Sequence, residues 1–371
     1  MRHIFFFLIV LSVLIGLVGY TTARGINYLG WIGPYKHIYT ALVVVLLGAL
    51  LTGFIWVETM PLPWAKVISF VGYSYIIVLV YLMMAFVLFD LVLLVNSFTQ
   101  FIHNIPLVKF IVFTIVSISV IVSMLVGYQN FNKPKIVNLK LESNKPKIGK
   151  SIKIVAVSDL HLGVNIHKSH AQKYVVLIND QNPDLVLIAG DLVDRSVKPV
   201  VKQHIQDDLR QINAPMGVFT VMGNHEYIGN HVGEMEAFLK TADIKLLRDE
   251  TVLINDEIYI VGRDDKTNKH RVSISDLIEP IDSSKSMIVL DHQPFNLDET
   301  AENKVDLQFS GHTHNGQFFP INCFVKLIYE NGYAYTKKAD THFYVSSGLG
   351  IWGPQYRIGT QSELVIIDYN Y

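Results

Sequence analysis

Ile152-Lys-Ile-Val-Ala-Val-Ser-Asp-Leu-His161 decides the fold of the polar part of this chain. Ile152 to Val157 is a short run rich in β-branched apolar residues, the composition of a strand, and it breaks off into Ser158-Asp159-Leu160-His161. The same figure recurs downstream. Leu185 to Ala189 runs into Gly190-Asp191, and Val218 to Met222 into Gly223-Asn224-His225-Glu226. Met287 to Leu290 runs into Asp291-His292, and Leu307 to Phe309 into Ser310-Gly311-His312-Thr313-His314. Helical stretches, Ser169 to Asn179 and Val200 to Ile212, fall between some of them, and later strands are expected over Glu257 to Val261, His342 to Val345 and Glu363 to Ile367. An α/β domain with many strands follows, its polar clusters gathered at strand C-terminal ends along one rim. Ser151 to Tyr371 supplies 221 residues, enough for one full core.

Each cluster offers carboxylate, imidazole or side-chain amide and no thiolate, a donor set that favours manganese, iron or zinc. Asp159 and His161 stand two apart, so an extended chain would point both the same way, and His312 and His314 repeat the spacing. Gly190, Gly223 and Gly311 precede donors, where a tight turn needs a residue without Cβ. A single strand-end Asp is more often a turn former than a ligand. Five such clusters in one chain point instead to a site, because convergent donor types outweigh any one motif.

Asp159-Leu-His161, Gly190-Asp191-Leu-Val-Asp194, Gly223-Asn224-His225-Glu226, His292 and Gly311-His312-Thr-His314 together resemble the signature of the calcineurin-like metallophosphoesterases, over roughly 151–371. Within them, Gly311-His-Thr-His-Asn-Gly-Gln317 and Ser346-Ser-Gly-Leu-Gly-Ile-Trp-Gly-Pro354 with Arg357 are similar to the YkuE/YaeI-type membrane-linked group, which more usually has Gly where Asn315 stands. The resemblance implies a β-sandwich flanked by helices with two divalent or trivalent metal ions (Mn, Fe or Zn) at its rim. It implies one ion held by Asp159, His161, Asp191 and His314, the other by Asp191, Asn224, His292 and His312, with Asp191 shared. Such a pair would polarise the phosphoryl oxygens and activate a bridging hydroxide. His225 is assigned to protonating the leaving group or stabilising the transition state, and Asp194 and Glu226 to orienting histidines or loops. Arg195, Arg263, Lys266, Arg271 and Arg357 are candidate phosphate contacts; Arg357, beside the Gly-rich C-terminal loop, is the one chosen. His167, His170, His204, His231, His270 and His342 have no partner at ligand spacing.

The rest of the chain has a different solvent. The mean hydropathy is +0.33 and 17% of residues are charged, against about 25% for an ordinary soluble domain. Residues 1–128 contain only Arg2, Arg24, Lys36, Lys66, Lys109, Glu58 and Asp90 as charges, leaving 26 basic and 30 acidic residues for the remaining 243. That distribution excludes a disordered chain and a basic nucleic-acid binder. Four apolar runs, Ile4 to Tyr20, Ile38 to Val57, Val67 to about Val95 and Ile105 to Gly127, are each long enough to span a bilayer. Gly33-Pro34, Pro61-Leu-Pro-Trp64 and Asn96 to Pro106 are the connections. Asp90, an isolated charge, is expected near the interface where its helix ends, and Trp31, Trp56 and Trp64 read as interface anchors. The first run also has signal-peptide character, with Arg2 and His3 ahead of its apolar core, but a poor cleavage pattern.

Lys133, Lys135, Lys140, Lys145, Lys147, Lys150 and Lys153 follow the last run, which predicts an integral protein of the cell membrane with its polar domain in the cytoplasm. Residues 129–150, with two Lys-Pro-Lys triplets, read as a juxtamembrane linker or a short edge strand. The lone Cys323 excludes an intrachain disulfide and a cysteine-built zinc site. The domains expected are therefore 1–128 transmembrane, 129–150 linker and 151–371 metallophosphoesterase. The function expected is a membrane-anchored binuclear phosphohydrolase cleaving a phosphodiester or pyrophosphate. A membrane lipid or lipid-linked phosphate is the candidate partner, no nucleic acid is expected, and nothing in the pattern specifies an oligomer. The alternative is a receptor or transporter-like protein that uses the domain as a metal-binding regulatory module, although the spans show no paired polar residues to mark a transport path.

Overall fold

The computed structural model describes residues 2–30, 33–146, 148–228 and 232–371, without the side chains of 2–4, 6, 7 and 10. Trp31, Lys147, His231 and the side chains of Arg2 and His3, all singled out above, lie outside that description. The chain divides into two units, Met1–Val126 and Gly127–Tyr371.

The first unit is helical: α1 (Arg2–Leu29), α2 (Tyr35–Trp56), α3 (Leu62–Thr99) and α4 (Ile105–Asn132). Among the described residues three helices, α2, α3 and α4, are long and apolar enough to cross a membrane, against the four runs expected. The run Ile4 to Tyr20 lies within α1. Its helices pack through aromatic rings, with Tyr28 edge-on to Phe86 at 5.0 Å and to Phe89 at 5.8 Å.

Asp90 departs from its expected isolation. Its carboxylate is 2.7 Å from the Arg24 guanidinium and accepts hydrogen bonds from the Tyr20 hydroxyl at 2.7 Å and the Tyr28 hydroxyl at 3.2 Å. Sixty-odd residues of chain separate these partners, so no local pattern pairs them. In apolar surroundings a charge without a partner is costly, and here α1 and α3 neutralise one another.

Among its described residues the second unit holds twelve strands and the remaining helices. The strands are β1 (Lys135–Glu142), β2 (Ser151–Val157), β3 (Leu185–Ile188), β4 (Val218–Thr220), β5 (Lys245–Leu246), β6 (Glu250–Ile254), β7 (Ile258–Gly262), β8 (Ser286–Leu290), β9 (Leu307–Ser310), β10 (Ala334–Lys338), β11 (Thr341–Val345) and β12 (Glu363–Asn370). The helices are α5 (Lys168–Asn179), α6 (Lys198–Lys202), α7 (Ile205–Leu209), α8 (Asn224–Ile228), α9 (Val232–Thr241), α10 (Ile274–Ile278), α11 (Leu297–Glu302) and α12 (Ile321–Ile328). The strands form two six-stranded sheets, β1-β12-β2-β3-β4-β5 and β10-β11-β9-β8-β7-β6. In the first, β2, β3, β4 and β5 run parallel; in the second, β7, β8, β9 and β11 do.

Side-chain alternation explains the layering. Ile152, Ile154 and Ala156 of β2 point into the space between the sheets, where they meet Ile258 and Ile260 of β7, Ile288 and Leu290 of β8, and Leu307 and Phe309 of β9. Val155 and Val157 point the other way, onto Tyr174, Val175 and Ile178 of α5 and Phe238 and Leu239 of α9. Val261, Met287 and Val289 cover the outer face of the second sheet with Ile274 and Leu277 of α10. The result is a β-sandwich flanked by helices, the central strands of both sheets buried on both faces.

Of the two readings of residues 129–150, the edge strand describes their middle: 129–132 complete α4, and Lys135–Glu142 adds β1 in parallel to β12 over eight residue pairs. One expectation is corrected. Val200 to Ile212 is not one helix, because His204 at φ 54° breaks it into α6 and α7.

Asp90→Ala should destabilise the helical unit by about 1–2 kcal/mol, the scale of an interhelical polar contact in lipid. Arg24→Met in the same background should restore part of it by removing the orphaned charge. Thermal unfolding of the detergent-solubilised chain is the measurement, and an Asp90→Ala protein as stable as the parent would contradict the pairing.

Candidate metal centre

Parallel strands deliver the donors. β2, β3 and β4 end in register, with Val157 opposite Ile188 and Ile188 opposite Thr220, and in the other sheet Leu290 of β8 is opposite Phe309 of β9. Asp159 and His161 follow β2, Asp191 follows β3, Asn224 follows β4, His292 follows β8, and His312 and His314 follow β9. Each loop leaves its strand at the same rim, the carboxyl end of the parallel strands.

The donors do not converge through an extended chain, as the two-residue spacing suggested. β2 stops at Val157, and Asp159 and His161 have φ of 54° and 48°. Asp191, His312 and His314 are also left-handed, at 50°, 71° and 50°. For residues with a Cβ this conformation costs about 1–2 kcal/mol each, and it persists only where surrounding bonds hold it. Here the His161 amide donates to the Asp191 carbonyl at 2.9 Å, and the His312 amide donates to both oxygens of the Asp159 carboxylate at 3.0 and 3.1 Å. Two glycines give the loops room. A Cβ on Gly223 would collide with the Asp191 carboxylate, and one on Gly311 with that of Asp159.

Three overlapping groups of donor atoms result among the described residues: Asp159 with His161 and His314, Asp191 with His292 and His312, and His161 with Asp191 and His225. In the first, His161 Nε2 is 3.0 Å from His314 Nε2, and the Asp159 carboxylate is 3.4 Å from His314 Nε2 and 3.9 Å from His161 Nε2. In the second, His292 Nε2 is 3.3 Å from the Asp191 carboxylate, while Asn224 Oδ1 is 3.2 Å from His292 Nε2 and 2.8 Å from His312 Nδ1. Asp191 Oδ2 also lies 3.6 Å from His161 Nε2, between the first two groups. Such separations are the edges of a coordination polyhedron with bonds of about 2.1 Å, so the nitrogen and oxygen donors fit metal ions. His292 is oriented for this, since its Nδ1 donates to the Ala189 carbonyl at 2.7 Å and leaves Nε2 as the donor atom.

Electrostatics divides the histidines, though not along the line between ligands and proton carriers. Burial holds His161 at about 3 and His312 at about 4, and pushes His314 well below its ordinary value, so all three are neutral at physiological pH, as ligands must be. His292 goes the other way. Burial would lower it, but the adjacent Asp191 carboxylate raises it well above the ordinary value and is itself held well below its own by His292. Asp159, desolvated and near Asp191, rises to about 6.

His225, buried against the edge of the His161 ring, is tied elsewhere. Its Nδ1 lies 2.8 Å from the Asp194 carbonyl and 2.9 Å from the Asp194 carboxylate. Burial works against its charge, yet Asp194 and Asp191 raise it to about 9, which keeps it protonated at neutral pH. Glu226 accepts from the amides of Gly223 at 2.8 Å, Val193 at 3.0 Å and Asp191 at 3.2 Å, stapling the loop after β4 to the loop after β3.

Arg357 is a correction. It is 0% exposed, and its guanidinium donates to the carbonyls of Ser347 at 2.5 Å, Gly350 at 2.7 Å, His314 at 3.1 Å and Gly348 at 3.2 Å. It therefore braces the His314 loop, and its complete burial keeps it from a substrate phosphate. Arg263 is paired with Glu299 at 3.0 Å and Asp291 at 3.5 Å, and Arg271 with Asp291 at 3.1 Å. Arg195 is exposed, and Lys266 lies with its ammonium 3.5 Å over the Phe295 ring. Sequence reasoning missed the aromatics of the rim: Trp352, 6.3 Å from the His225 ring, and Tyr329, 6.3 Å from the His312 ring. Trp352 sits in the quoted C-terminal motif; nothing local marks Tyr329.

Residues 152–316 match the family model for calcineurin-like phosphoesterases. An uncharacterized metallophosphoesterase of Campylobacter jejuni is 33% identical over 67% of this chain and 68% of its own length. The uncharacterized metallophosphoesterase YkuE of Bacillus subtilis is 28% identical over 65% of this chain and 88% of its own. A transmembrane protein with metallophosphoesterase domain from Bos taurus is 31% identical over 58% of this chain, which spans only 52% of that relative.

Gly223→Ala should lower metal affinity by about 10–100-fold by displacing the Asp191 carboxylate. Gly163→Ala, whose Cβ would meet nothing closer than 3.7 Å, is the control. Metal content after dialysis against a graded chelator reads the difference.

Proposed function

Because the chain belongs to the calcineurin-like phosphoesterase family, we propose that it is a membrane-anchored phosphohydrolase that holds two metal ions and cleaves a phosphodiester or pyrophosphate, with a lipid-linked phosphate as its substrate. The observation that carries the two-ion reading is the Asp191 carboxylate, 3.6 Å from His161 Nε2 on one side and 3.3 Å from His292 Nε2 on the other. Asp159, His161 and His314 would complete one set of ligands, and Asn224, His292 and His312 the other, a mixture that suits manganese, iron or zinc. When bound, such a pair offsets the charge of the phosphoryl oxygens and makes water a competent nucleophile near neutral pH.

The chain's own part in the chemistry is proton delivery and positioning. His225 is protonated at neutral pH, and with Nδ1 engaged by Asp194 its Nε2 is the nitrogen left to pass a proton to the leaving oxygen. Glu226 and Arg357 hold the loops carrying Asp191 and His314 and contribute no proton.

Three apolar helices exceed what a tether needs, which supports a substrate that itself resides in the bilayer. The apolar, partly described α1 supplies the fourth span of this reading. Lys133, Lys135, Lys140, Lys145 and Lys150 directly after α4 support a cytoplasmic domain at the cell membrane.

Hydrolysis of bis-p-nitrophenyl phosphate by the detergent-purified chain with Mn²⁺ tests the activity. Asp191→Asn should keep the fold and lose turnover, and turnover retained in that variant would remove the shared-ligand assignment. His225→Ala should keep its metal and lose about 10²–10⁴-fold in rate. The parent's rate should fall on the alkaline side as His225 gives up its proton. Because Asp194 is the first of the groups that raise His225, ahead of Asp191, Asp194→Asn should move that limb to lower pH, and an unmoved limb would show that another group titrates.

A further inference from the structure

Helix α12 is inside out for a surface helix. Of its eight residues only Val325 is buried, while Leu327 is 82% exposed, Ile328 66%, Phe324 55% and Ile321 41%. A water-soluble surface helix buries its apolar stripe; here residues spaced three and four apart turn that stripe outward. Phe319, just ahead of the helix, is also exposed and extends the patch.

The patch adjoins the metal centre. The Thr313 hydroxyl, between His312 and His314, donates to the Gly332 carbonyl at 2.7 Å and clasps the segment that leaves α12. Tyr329, at the C-terminal end of α12, has its ring 6.3 Å from that of His312 and 4.9 Å from that of Phe295, over which Lys266 lies. Beside the donors there is thus an aromatic pair, Tyr329 and Phe295, with the Lys266 ammonium against Phe295 and the exposed aliphatic side chains and Lys326 of α12 leading into Tyr329.

We propose that α12 beds in the headgroup–acyl boundary of the bilayer, so that a lipid phosphate reaches the metal centre without leaving the membrane plane. Two observations select lipid over a protein partner. The same chain carries three apolar helices able to cross a bilayer, so a lipid surface is always at hand. The patch also combines large aliphatic and aromatic residues with one lysine, Lys326, and no acidic side chain within α12, the composition that an anionic headgroup region accepts. The inference deepens the phosphohydrolase reading by saying where its substrate lies, and it rests on that reading only for this consequence, since the docking needs no turnover.

Cys323, the chain's single cysteine, is exposed on α12 itself and takes a probe without mutation. The full chain, labelled there with bimane, would be placed at one copy per nanodisc in phosphatidylethanolamine and phosphatidylglycerol carrying a nitroxide at a shallow acyl carbon. The expected result is about a two-fold loss of emission, as for a helix seated some 5–10 Å into the boundary. Phe324→Ser with Leu327→Asp should abolish that loss. Emission indifferent to the nitroxide lipid overturns the proposal, whether aqueous iodide reaches the probe, as on a bare helix, or does not, as under a protein partner. Bis-p-nitrophenyl phosphate turnover is read on the same discs. Quenching without turnover strikes the phosphohydrolase reading alone, and turnover without quenching strikes this inference alone.

Discussion

Two hydrogen bonds crossing from one sheet to the other hold the functional rim together. His292, at the end of β8, gives its Nδ1 proton to the carbonyl of Ala189 at the end of β3. Asp159, beyond β2, receives the backbone amide of His312 beyond β9. A sandwich packed only by apolar side chains could slide by a fraction of an ångström at little cost, because dispersion contacts are non-directional. These bonds are directional and buried, so breaking either leaves an unsatisfied polar group. They turn two layers into one frame, on which distances between donors from different sheets are set.

That frame lets the chain keep features that would destabilise it elsewhere. Five donors stand in left-handed conformations. Asp159, Asp191 and Glu226 are buried carboxylates, and Glu226 rises to about 7 because it is desolvated beside Asp191. Arg357 is buried entire, with burial lowering it to about 10. Backbone groups answer most of this cost: three amides converge on Glu226 and four carbonyls on Arg357. The charged side chains closest to the chemistry thus split into those that hold the loops and those that remain available to ligands and protons.

The helical unit solves the same problem in another solvent. Asp90 is accommodated by one cation and two hydroxyls drawn from α1. The ion pair is a cross-link between helices α1 and α3.

Much of this was legible in the residues. Short apolar runs ending in polar clusters identified the strands of the rim, because strand periodicity and turn chemistry are local properties. The clusters also named the side chains that gather there, since few residue types combine oxygen and nitrogen donors with glycine turns. Other features depend on partners far along the chain. The segment of β1 read as either a linker or an edge strand because its pairing partner, β12, lies more than two hundred residues away. Arg357 read as a phosphate contact because sequence shows a guanidinium and not the four carbonyls folded around it. Asp159 and His161 were paired by the wrong geometry, since spacing alone says nothing of a positive φ. The apolar face of α12 has the pattern of a core helix, and only the packing of Val325 inward shows that its other large residues face out. Sequence by itself determined which groups the protein owns and which strands carry them. Tertiary structure decided which of those groups are used up on one another and which stay free, because that depends on contacts between residues no local pattern relates.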